Sequence, residues 1–274
     1  MLRGILMKSV IKTLIFLSLI ILIICIFYNF IWSKFQNKHR FEKSTIQMSE
    51  SSENSPFSLA KVILYSSAYG NNKNTTFQQT NWILDIFQYT DIAIYIKNTE
   101  NELNSSNSVK KLFLENISIS TPKLGSPNLY YLDTLNFGTP HIAEHNKIDT
   151  SLEFTVLNDP NQQNNIQYNT PIFFTDCSNP ITLKYVNHPI KENFEITSNE
   201  PVFFNGKLLK MANINLSDLE TTISFTIRII NHNNEEYSYH VSLPIRLTEE
   251  ENSMDNGNIL VEKTYKNLKF IKQL

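Results

Sequence analysis

The stretch Thr222-Ile-Ser-Phe-Thr-Ile-Arg-Ile229, with Tyr237-Ser-Tyr-His-Val-Ser-Leu-Pro-Ile-Arg-Leu247 after it, decides the fold class. In the first segment Ile223, Phe225, Ile227 and Ile229 alternate with Thr222, Ser224, Thr226 and Arg228. In the second, Tyr237, Tyr239, Val241, Leu243, Ile245 and Leu247 occupy every other position. Successive side chains of a strand point to opposite faces, so a period of two marks two strands with one buried face each. Asn231-His-Asn-Asn234 supplies turn residues between them, and the pair reads as an antiparallel hairpin. Pro244 falls on the opposite face and predicts an edge position or a bulge late in the second strand.

Shorter strand signals recur along the chain. They lie at Lys61–Ser66, Trp82–Phe87, Asp91–Lys97, Phe113–Ser120, Leu152–Leu157, Ile172–Thr175, Ile181–Val186 and Asn193–Thr197. Val202–Leu209 contains Asn205-Gly206, the pair favoured in a two-residue hairpin turn. Only five Ala occur, and no long stretch before residue 258 keeps a helical period. The expectation for residues 57–247 is mainly β: an antiparallel β-sandwich, or two Ig-like halves joined near residues 141–150. The region is long enough to bury a sizeable core. Residues 248–274 form a tail, acidic at Glu249–Glu251 and Asp255, then basic at Lys263, Lys266, Lys269 and Lys272. Val261, Tyr265, Leu268 and Ile271 are spaced to line one face of a terminal helix. A basic tail of this kind suits contact with an anionic surface.

The other end of the chain has a different character. Residues 1–12 are a short basic start, and Thr13 to Ser33 contains no charged residue. Those 21 residues would make roughly 30 Å of helix, enough to cross a bilayer core. Tyr28 and Trp32 stand where interfacial aromatics belong. No small-residue cleavage site follows, so the reading is an uncleaved anchor with its N-terminus in the cytoplasm and the β region extracytoplasmic. Arg3, Lys8 and Lys12 before the span nearly balance Lys34, Lys38, Arg40 and Lys43 after it, so orientation rests on the likeness of the short basic start to an export signal. Residues 34–56 join anchor to β region, and Ser44 to Pro56 is a polar, Ser-rich spacer.

Charge follows the same division. Residues 1–43 hold seven Lys/Arg against one Glu, while residues 44–274 hold 17 Lys/Arg against 25 Asp/Glu. The net charge of −2 therefore hides a basic start and an acidic remainder, which excludes nucleic acid as a charge-matched partner. Two Cys exclude a disulfide scaffold. The 34 Asn, 33 Ile and 20 Lys beside 6 Gly and 4 Arg read as coding from an AT-rich bacterial genome.

Three short features suggest chemistry. His141-Ile-Ala-Glu-His145 resembles the H-x-x-E-H pattern of the inverzincin metalloproteases. That resemblance implies zinc held by His141 and His145, with Glu144 catalytic. It needs a helix that places residues four apart on one face, and Gly138-Thr-Pro140 upstream leaves little room for one. Phe174-Thr-Asp-Cys177, behind an anchor and a linker, resembles the sortase transpeptidases in outline, with Cys177 as the thiol and His141 and Arg228 as possible partners. Asp176 stands where that family has Thr and disfavours a thiolate. Arg3-Gly4 before an apolar run is similar to a pilin-type cleavage site, but Ser9 replaces the usual Glu. Phosphate loops, nucleophile elbows and Cys/His zinc frameworks are absent from the sequence, and no cofactor is called for. The preferred expectation is a non-enzymatic, membrane-anchored β module. Its partners would be the bilayer through residues 13–33 and a surface protein or glycan. A thiol or metal enzyme and a pilin-like subunit are the alternatives.

Overall fold

The computed structural model describes residues 55–74, 81–98, 109–132, 136–141, 143–155, 180–197, 202–249 and 252–273. The span at 13–33, most of the linker, the candidate strand Ile172–Thr175 and Cys177 lie outside them. Among the described residues no helix is long and apolar enough to cross a membrane. All of them belong to one unit, Ile46–Leu274.

The hairpin expected over residues 222–247 is present. β8 (Thr221–Asn231) pairs with β9 (Glu236–Ile245), with Ile227 opposite Tyr239 and Phe225 opposite Val241. Ile223, Phe225, Ile227 and Ile229 are fully buried, and the residues between them are half-buried. The turn closes through Asn231, whose side chain accepts from the Glu235 amide at 2.8 Å. Asn234 takes φ 62°, a conformation Asn tolerates better than most residues. β3 (Val109–Ile119) and β6 (Leu152–Thr155) extend the sheet on one side, and the two-residue β13 (Ile271–Lys272) on the other, giving the order β13-β9-β8-β3-β6. β13 reaches only Tyr237 and Ser238, so Pro244 sits where β9 has no neighbour on that side among the described residues.

The other large sheet is built from longer strands. β1 (Phe57–Asn72) pairs with β2 (Asn81–Asn98), and β2 pairs with β7 (Ile181–Thr197). β4 (Pro127–Tyr131), β5 (Lys147–Ile148) and β12 (Ile259–Lys269) complete the order β12-β1-β2-β7-β4-β5, antiparallel throughout. A two-stranded ribbon, β10 (Thr248–Glu249) with β11 (Asn252–Ser253), stands apart. One apolar core holds residues of both large sheets, including Leu64, Ile92, Ile94 and Leu183 from one and Leu112, Phe154, Ile227 and Leu243 from the other.

Several expectations need correction. Trp82–Phe87 and Asp91–Lys97 are one strand, because polar residues between them pair across the sheet: the Ser66 and Thr90 hydroxyls lie 2.8 Å apart. Ile181–Val186 and Asn193–Thr197 likewise merge, with the register slipping past His188–Pro189, so the strand absorbs the missing proline donor as a bulge. Residues 141–150 are not a boundary between halves. Both large sheets take strands from before and after that stretch.

Asn205-Gly206 does not turn a hairpin. Gly206 is αR (φ −54°, ψ −21°), and the Asn205 side chain accepts from the Lys207 amide at 3.0 Å. These residues open the short helix α1 (Lys207–Met211), whose Leu208 and Leu209 are fully buried. Glycine is needed there for close approach, since a Cβ would meet the Met254 carbonyl oxygen at 2.0 Å.

The tail from residue 259 is strand, not helix. Its helix-like spacing has a physical cause. Val261 pairs opposite Leu64 and Leu268 opposite Leu59, with a register shift between Leu59 and Lys61. The bulge resets the alternation, so Val261, Tyr265 and Leu268 all pack against the core from a strand.

Candidate functional site

β1, β2, β7 and β4 carry a second layer of side chains on the face turned away from the shared core. Odd-numbered positions of β2 point there, so Phe87, Tyr89 and Asp91 oppose Ile86, Ile92 and Ile94. Phe87, Tyr89, Tyr130 and Val186 form a buried cluster with Tyr65 and Tyr69 against it. The register places Tyr65, Asp91, Lys184 and Tyr130 in one row across four strands. An acid and an amine are thus fixed side by side on neighbouring strands, between tyrosines.

A strap between β4 and β5 closes over this row. Phe137 stacks on Tyr65 with ring centroids 6.0 Å apart and planes at 17°. Gly138, at φ 83°, donates its amide to Asp91 Oδ2 at 2.9 Å and accepts from the Tyr89 hydroxyl at 3.1 Å. Lys184 Nζ donates to Thr139 O at 2.6 Å and to Asp91 Oδ1. The same ammonium lies 4.7 Å from the centre of the Tyr89 ring, a cation–π contact. Farther along, Asn146 is buried and donates to the Tyr131 carbonyl at 2.9 Å. The described part of the strap is thereby held at Phe137–Thr139 and again at Asn146. The Asp91 and Lys184 side chains are each 1% exposed.

Burial dominates the electrostatics. It pushes the Asp91 carboxyl above its ordinary range, although Lys184 and the Gly138 amide pull the other way. It pushes the Lys184 amine down, against the pull of Asp91. Burial also raises the Tyr89 phenol to about 12 and raises Tyr65, the latter with help from the Asp91 charge. Desolvation of both partners brings the charged and neutral forms of the pair closer in free energy.

The residues singled out from sequence fall elsewhere. His141, Glu144 and His145 sit on the strap but are exposed. Ala143 is extended, and Glu144–Asn146 is a three-residue 3-10 turn, so His141 and His145 share no helical face. The helix that the metalloprotease resemblance requires is not formed at Ala143–Asn146. Among the described residues there is no group of three or more His, Cys, Asp or Glu that could hold a metal. Arg228 lies on β8 in the other sheet and makes a bidentate pair with Glu115, Nη2 to Oε1 at 2.6 Å and Nε to Oε2 at 3.1 Å. Its guanidinium rests 4.0 Å over the Phe113 ring.

Sequence reasoning passed over Asp91 and Lys184 as ordinary strand residues. The available signal was one charge in each of two apolar runs, Tyr89-Thr-Asp-Ile-Ala-Ile94 and Ile181-Thr-Leu-Lys-Tyr-Val186, each with a tyrosine one or two positions away. Compared with protein-family models, with curated proteins and with solved structures, the chain matches none of them.

Proposed function

We propose that this chain is a single-pass membrane-anchored protein that displays a non-enzymatic antiparallel β-sandwich outside the cytoplasm. There it would bind a surface protein or glycan, or serve in envelope assembly. The observation that carries the reading is the sealing of Asp91 and Lys184, the best-developed constellation of charged groups among the described residues. At 1% exposure neither side chain can meet a substrate, and both hold a strap to a sheet. Chemistry spent on fastening one element to another suits a display module better than a catalyst. The apolar run 13–33 and the Ser-rich spacer supply an anchor and a tether. The strap presents His141, Glu144 and His145 outward, which offers a polar surface for contact.

The test uses the full chain in cells with an accessible surface. Membranes washed at alkaline pH should retain the protein, and deletion of residues 13–33 should release it. Trypsin added to intact cells should remove the exposed region and leave an N-terminal tag protected. Release of the intact chain by the wash, or full protection of residues 55–274, would overturn the reading.

A further inference from the structure

The geometry points to a covalent cross-link: an amide bond between Lys184 Nζ and Asp91 Cγ, formed by the protein on itself. Four observations converge on it. First, the register sets Asp91 directly opposite Lys184 on adjacent strands, so the reacting groups are held together by backbone pairing rather than by chance encounter. Second, Nζ contacts Oδ1 of that carboxyl.

Third, the hydrogen bonds already in place are those the product needs. A secondary amide has one N–H to donate and one carbonyl oxygen to accept. Thr139 O receives an Nζ–H at 2.6 Å, and the Gly138 N–H points at Oδ2 from 2.9 Å. After condensation both contacts remain and neither amide atom is left unsatisfied. Fourth, the site is closed to solvent. Both side chains are 1% exposed, the Tyr89 ring lies 4.7 Å from Nζ, and the stacked pair Phe137–Tyr65 stands beside them.

The step balances without a further reactant. Nζ, as the neutral amine, attacks Cγ of the neutral carboxylic acid, and the new bond is Nζ–Cγ. The Gly138 amide stabilises negative charge on Oδ2 in the tetrahedral intermediate, as an oxyanion donor does. The Cγ–Oδ1 bond then breaks, and Oδ1 leaves as water, carrying its own proton and one from Nζ. Burial, which raises the carboxyl and lowers the amine, favours the neutral forms the attack requires. The cross-link stands whether or not residues 13–33 cross a bilayer.

Mass spectrometry of the full chain, purified in detergent and shown by circular dichroism to be β-rich, decides the matter. The wild-type mass should be lower than the sequence mass by one water. Trypsin should yield a branched species joining residues 74–97 to residues 148–191, with Lys184 uncut. Asp91→Ala and Lys184→Arg should each show the full mass of their sequences. Asp91→Asn is the sharper variant. Attack on its side-chain amide expels ammonia and gives the same product, so its final mass should equal that of the wild type. A folded wild-type chain at full sequence mass, cut at Lys184, would overturn the proposal, as would a water loss mapped to other residues.

Discussion

The two large sheets solve the same problem in opposite ways. In the sheet of β8 and β9 one face is apolar and the other carries charges at the water boundary, such as Arg228 with Glu115 and Lys111 with Glu153. In the sheet of β1, β2 and β7 both faces are covered, and the acid and amine on its second face are taken inside, as Asp91 with Lys184. Acid–amine pairs of similar composition therefore differ in consequence. An exposed pair gains little over its hydrated partners, whereas a buried pair must be complete or leave an uncompensated charge.

That contrast can be broken most forcefully at Asp91. Asp91→Ala strands Lys184 in a site closed to solvent and should lower unfolding stability by about 3–5 kcal/mol, read from the denaturant midpoint. Asp91→Leu with Lys184→Met, which removes both charges, should recover much of that loss. A double variant as unstable as the single one would show that the loss comes from the severed link between the strands and not from a stranded charge.

Gly206→Ala probes packing rather than charge, at the point where α1 meets the Met254–Gly257 turn. A methyl 2.0 Å from a backbone carbonyl oxygen forces that turn to move, at a cost of about 1–3 kcal/mol or somewhat more, measured by thermal unfolding. Glu115→Ala on the other sheet should change stability by less than about 1 kcal/mol, because the pair is partly solvated.

The smallest effect concerns acid. Hydrogen bonds from Lys272, Asn231 and Tyr237 hold the Glu235 carboxyl down to about 2. A depressed carboxyl stabilises the fold above its ordinary range near 4.5 and loses that contribution as pH falls toward 2. Glu235→Gln should flatten this part of the stability–pH curve, and an unchanged curve would remove Glu235 as its source.

The same contrast explains what was legible in the sequence. Residues 222–229 and 237–247 show their alternation because the second face of each strand meets water. β2 does not. On its core-facing side Gln88 and Thr90 interrupt Leu84, Ile86, Ile92 and Ile94, while Phe87 and Tyr89 on the other side are nearly as buried as the core. Covering both faces erases the period-two signal, and the strand reads as two short pieces. The tail misled for a related reason, since a bulge in β12 mimics helical spacing. The site was illegible for want of distance information. Asp91 and Lys184 are 93 positions apart, and only the register brings them together. The H-x-x-E-H match, by contrast, concerned residues near in sequence that the strap leaves on its outer surface.

Amide hydrogen exchange at Gly138 tests most directly the claim that the buried pair fastens the strap. The Gly138 N–H should exchange as slowly in the wild-type chain as the paired amides of β2. In Asp91→Ala, which removes the acceptor of that amide, it should exchange at the rate of an open loop, while the amides of β8 stay as protected as before. Fast exchange at Gly138 in the wild type, or slow exchange that survives the substitution, would contradict the account.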